Sequence, residues 1–156
     1  MKSVFVLVCT SLLLCLQAPA LVAGELSESR SKAGQYYQDR DFDGAYKIYF
    51  KLAKAGDYYS QDKISHMHAT GEGVAVDLTE AYAWSVLAAE SGVDRMLAKS
   101  DELLQQVDDQ AKAHKRAAKI KRKYGKEALL AKAERKAKHK RNHRMGGCTG
   151  SKLGCS

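Results

Sequence analysis

A chain of 156 residues that is 45% hydrophobic and carries a formal net charge of +8 has room for one sizeable core, which excludes a multidomain protein. The charge is unevenly spread: positions 25–111 hold nine Lys/Arg against sixteen Asp/Glu, a net −7, whereas 112–144 hold fifteen Lys/Arg against Glu127 and Glu134, a net +13. An acidic segment is thus joined to a basic arm, and the absence of strand-like alternation after residue 24 excludes a β or α/β architecture.

The N-terminus reads as a targeting segment. Lys2 precedes a nearly unbroken apolar run from Val4 to Leu16, followed by Ala18-Pro-Ala-Leu-Val-Ala-Gly24. A short apolar run with a small-residue exit predicts a secretory signal peptide over residues 1–24, cleaved after Ala23 or Gly24. The run is too short for a comfortable membrane span. Leu14 is too bulky before Cys15 for lipidation, so Cys9 and Cys15 are expected to leave with the signal.

Residues 25–124 predict a helical domain. Glu25–Arg40 is expected as the first helix, capped by Ser27 or Ser29, with Ala33, Tyr36, Tyr37 and Arg40 on one side. Asp41-Phe-Asp-Gly44 is a turn with Asp41 or Asp43 as cap. Helices are predicted over 42–55, 58–69, 78–91 and 94–106, and another begins at Asp108-Asp109 and runs to Tyr124 through Ala111, Ala117, Ala118 and Ile120. The stretch Ala98-Lys-Ser-Asp-Glu-Leu-Leu104 and the helix after it are expected to cap the array.

The same pattern occurs twice inside this domain. Ala45 recurs as Ala81, Tyr46 as Tyr82, Ala53 as Ala89 and Gly56 as Gly92, each 36 positions later. Ala45, Ile48, Tyr49, Leu52 and Ala53 lie on one helical face, repeated by Ala81, Trp84, Ser85, Ala88 and Ala89. Gly56 follows the first run, and Gly71 and Gly73 break the chain between the copies. A period of this size marks stacked helical hairpins, each too small to bury its apolar face alone.

Ala45–Gly56, then Gly71-Glu-Gly-Val74 and Asp77, then Ala81-Tyr-Ala-Trp84 with Ala88, Ala89 and Gly92, resemble the Sel-one-like repeat family, a relative of the tetratricopeptide repeats. The resemblance spans roughly Asp43 to Leu104. Ser60, Ser65 and His68 depart from it, standing where the family prefers Ala, Gly and an aromatic. It implies an all-α fold, a short α-solenoid of antiparallel hairpins with capping helices. It also implies a non-enzymatic adaptor that binds proteins or peptides on a concave helical face, with no cofactor.

Residues 125–156 form the basic tail, expected as a helix that frays in the absence of an anionic partner because so much like charge repels itself. Its candidate contacts, with those of the preceding helix, are Lys119, Lys121, Arg122, Lys123, Lys126, Lys132, Arg135, Lys136, Lys138, Lys140, Arg141 and Arg144. An anionic envelope polymer, lipid or lipopolysaccharide is the second class of partner, and export argues against nucleic acid. Cys148 and Cys155 flank six residues, two of them glycine, so a disulfide loop is expected in an oxidising compartment.

No catalytic constellation emerges. Gly71-Glu-Gly73 lacks the Lys-Ser/Thr ending of a phosphate loop and follows no strand. His66 and His68, two apart, point to different sides of a helix, and His68 reads as a packed ring. His139 and His143, four apart, share a face and could join the two cysteines around a metal, yet Lys138, Lys140, Arg141 and Arg144 surround them and repel a cation. The signal segment leads to an exported, periplasmic protein, and the resemblance implies that it is an adaptor.

Overall fold

The computed structural model describes residues 18–146, with side chains described for 24–143. Among them are seven helices and no strand: α1 (Ala18–Gln38), α2 (Phe42–Lys54), α3 (Tyr58–Thr70), α4 (Leu78–Ala89), α5 (Asp94–Gln106), α6 (Gln110–Tyr124) and α7 (Lys126–Gly146). The fold is an all-α helical repeat. Consecutive helices from α1 to α5 pack on one another, α6 returns to pack on α4, and α7 touches α6. The short connections make neighbours antiparallel.

Aspartates start four of the helices. Asp41, Asp57, Asp77 and Asp109 accept from the backbone N–H groups of Gly44, Ser60, Glu80 and Lys112, each satisfying a donor that the first turn leaves free. Asp41 and Asp77 are themselves 36 apart, so the cap repeats with the apolar face. The second copy loses the next one: Val93, in register with Asp57, begins α5 without a side-chain cap.

Gly56, Gly71 and Gly92 follow their helices in the left-handed region, with φ of 94°, 81° and 75°, and Gly73 in the α3–α4 turn joins them at 70°. Gly73 has a further constraint: a Cβ there would stand 2.5 Å from the Phe42 carbonyl oxygen, where the α3–α4 turn crosses the start of α2.

The core follows the two repeated faces. Ala45, Tyr49, Leu52 and Ala53 of α2 are buried, as are Ala81, Trp84 and Ala88 of α4, while Ile48 and Ala89 are half-buried. Alanines bring the backbones close, and Tyr49, Ile64, Met67 and Leu87 fill the space between. α6 joins the same cluster through Ala113, Ala117 and Ile120.

Helix boundaries depart furthest from expectation in α1. α1 begins at Ala18 rather than Glu25, so Ser27 and Ser29 lie within it and cap nothing; it ends at Gln38, and Arg40 sits outside in the left-handed region at φ 61°. The backbone N–H of Asp41 reaches back to the Tyr36 carbonyl across that turn. α7 is helical to Gly146, as its high content of Ala, Lys and Arg favours. Residues 1–17 of the expected signal segment, with Cys9 and Cys15, and the expected disulfide partners Cys148 and Cys155 lie outside the described residues. No helix among the described residues is long and apolar enough to cross a membrane.

Candidate functional site

The first helices of successive hairpins, α2 and α4, together with α6, enclose a cleft of about 320 Å3. Its floor is aromatic because the repeat places one ring after another along it. Tyr46 stacks on Phe50 with centroids 5.5 Å apart, Phe50 meets Trp84 edge-on at 5.6 Å, and Trp84 stacks on Tyr124 at 5.7 Å. Offset and edge-on pairs of this kind add to the area they bury and hold the floor rigid.

One wall carries His68 and Glu80, and the other Arg116, Lys119, Ile120 and Lys123. His68 is 7% exposed, and its Nε2 lies 3.2 Å from the Tyr46 hydroxyl. Burial pushes its pKa below the usual imidazole value, Glu80 and Asp77 oppose that, and Arg116 adds to it, so the ring is neutral near neutrality. Glu80 is paired across the cleft with Arg116. Arg116 Nε is buried without an acceptor. The exposed Lys119 and Lys123 pair with no carboxylate among the described residues, and the Lys123 ammonium sits 5.1 Å from the centre of the Tyr124 ring.

The cleft continues into a second hollow along α6, lined by Asp77, Thr79, Glu80, Lys112, Lys115, Arg116 and Lys119. Lys112, Lys115, Lys119 and Lys123 fall three or four apart, on one side of α6. The cleft offers aromatic rings, cations and the His68 imidazole held against the Tyr46 hydroxyl.

No protein-family model matches the chain, and no curated protein matches it.

The residues expected in the basic arm divide into three groups. Lys119 and Lys123 line the cleft. Lys121 Nζ pairs with Glu90 at 2.9 Å, and Arg122 stands exposed beside it. Lys126, Lys132, Arg135, Lys136, Lys138, Lys140 and Arg141 are exposed along α7, with Arg144 beyond the described side chains. The first turns of α7 dock on the domain: the Lys126 backbone N–H donates to Glu90 at 3.0 Å, and Leu129 packs over Gly56, where an added Cβ would meet it at 2.7 Å. From Lys132 to His143 every residue is exposed. His139 and His143 lie on this stretch with ring centroids 6.3 Å apart.

Sequence reasoning placed Trp84 and the tyrosines on repeat faces but missed Phe50, Glu80, Arg116 and Tyr124 as one site. The four-residue spacing of cations on α6 was the available signal. It was hidden inside the longer charge run.

Proposed function

We propose that this protein is an exported, non-enzymatic adaptor of Sel-one-like repeat type that binds proteins or peptides through its helical repeats. The cleft between α2, α4 and α6 is the observation that carries this reading: a rigid aromatic floor with polar walls is the composition from which binding hot spots are built. The in-phase glycines and aspartate caps support the repeat assignment. The N-terminal apolar run supports export, and the residues of α1 that pack, from Arg30 and Ala33 onward, lie beyond the proposed cleavage point.

Selection of random displayed peptides on the full chain tests the reading. Trp84 is the only tryptophan and forms part of the cleft floor, so its emission reports occupancy. Selected peptides should shift that emission and lose affinity when Tyr46 is replaced by Ala. Peptides that bind without moving Trp84 would place the contact elsewhere.

Exposure of α7 on all sides from Lys132 to His143, with six Lys/Arg against Glu134 alone, favours a second role, attachment to anionic envelope material. Charges encircle this stretch and no apolar stripe accompanies them, so it would lie on such a surface rather than insert its side chains.

A further inference from the structure

We propose that the cleft is selective for an acidic peptide segment of about five residues carrying an aromatic or other planar side chain at its centre. This rests on the peptide-binding reading and adds the chemistry of the ligand.

The floor calls for a flat apolar group. Phe50 and Tyr124, half-buried against the buried Trp84, present ring surface on which a phenyl or indole can pack. The α6 wall calls for negative charge. Arg116 already neutralises Glu80, which leaves Lys119 and Lys123 in the cleft and Lys112 and Lys115 in the adjoining hollow with only Asp77 to oppose four positive charges. Lysine stems can lie along the aromatic floor while the ammonium groups reach a carboxylate at its edge.

Length follows from the stripe. Lys112 to Lys123 is eleven steps along the helix, about 16 Å at 1.5 Å each. An extended chain covers that distance in about five residues at roughly 3.3 Å each. A single small anion would use one end of this stripe only.

A peptide fits better than a nucleic acid strand. The far wall carries Asp77, which pairs with no cation among the described residues, and a continuous phosphate backbone would have to run past it. Separate carboxylates on alternate residues can face α6 and leave that wall to uncharged groups.

The test titrates the full chain with blocked pentapeptides, Glu-Asp-Phe-Glu-Asp against Gln-Asn-Phe-Gln-Asn and Lys-Lys-Phe-Lys-Lys, and with an eight-residue oligothymidylate. Trp84 emission and calorimetry are the readouts. The acidic peptide should shift Trp84 and bind at least tenfold more tightly than its amide counterpart. Lys119→Glu with Lys123→Glu should remove that preference while circular dichroism stays unchanged, since both side chains are exposed. Neutralising α7 with Arg135→Gln, Lys136→Gln, Lys138→Gln, Lys140→Gln and Arg141→Gln should leave it in place.

Equal binding of acidic and amide peptides, or tighter binding of the lysine peptide, would overturn the acidic selectivity and leave peptide binding standing. Loss of acidic-peptide binding in the α7 variant but not in the cleft variant would assign the charge effect to the arm and reject the proposal. Oligothymidylate that shifts Trp84 and outcompetes the acidic peptide would replace peptide by nucleic acid. If no pentapeptide and no selected peptide moves Trp84, both the proposal and the reading beneath it fall.

Discussion

At the scale of single residues, Trp84 and His68 carry the most weight. Trp84 is 2% exposed and touches both Phe50 and Tyr124, so it ties α2, α4 and α6 together. Trp84→Ala should destabilise the protein by about 3–5 kcal/mol, the range for deleting a large buried aromatic, read as a fall in the denaturation midpoint at constant slope. An unchanged midpoint would mean that the ring is not a core anchor. His68 should make the fold sensitive to acid. Its folded pKa lies below the unfolded value of about 6.5, so the unfolded chain takes up the proton first. Stability contributed by the neutral ring is full above about pH 6.5, and it declines as pH falls toward the lower folded value. The thermal midpoint should therefore drop on acidification through this window. His68→Phe, which keeps a ring and removes the titration, should flatten that drop. A slope unaffected by the substitution would assign the acid sensitivity to other groups.

At the scale of elements, the joint between α6 and α7 decides what the basic tail is. Gly125 separates the two helices in an extended conformation, with φ −68° and ψ 159°, and a Cβ there would meet the Lys121 carbonyl oxygen at 2.6 Å. Beyond it, only the first turns of α7 bury anything, chiefly Leu129 over Gly56 and the Lys126 backbone on Glu90. The domain upstream holds its own network: Arg30 pairs with the buried cap Asp57, and Lys99 and Arg95 hold buried Asp62, at 2.8 Å and 3.4 Å. Deleting Lys126–Ser156 should leave one cooperative melting transition and the same helical content per residue. The stability lost should be small, about 1–2 kcal/mol for a partly buried leucine and one charged hydrogen bond. Loss of the transition would make α7 an integral part of the core.

At the scale of the whole molecule, charge is segregated along the chain and in space. α6 is the border. One side of it is built into the acidic domain through Ala113, Ala117 and Ile120, and the other sides carry the start of the basic run. α7 then projects its charges away from the domain. Binding of the full chain to anionic vesicles or lipopolysaccharide should weaken sharply as salt rises, because exposed charges are screened within about 8–10 Å near physiological ionic strength. The form ending at Gly125 should lose most of this binding. Attachment that survives both the deletion and high salt would move the contact onto the repeats.

Much of the fold was legible because it is encoded locally. The 36-residue period, the i, i+3, i+4 spacing of Ala45, Ile48, Tyr49, Leu52 and Ala53, and the glycines after each run state which positions are helical and which face is apolar. Hence the expected ranges of α2 to α5 differ from the observed ones by no more than two residues. The cleft was not legible in the same way. Phe50, Glu80, Arg116 and Tyr124 come from three helices, and periodicity says which side of a helix is buried without saying which helix covers it. A run of fifteen cations reads as one arm by composition, yet packing of α6 on α4 draws Lys119 and Lys123 into the cleft and leaves those of α7 in solvent. Sequence by itself determined the repeat, its turns and the charge contrast between the two halves. Only tertiary packing decided where the basic run divides, because that division depends on α6 burying three apolar side chains against α4, and α7 almost none.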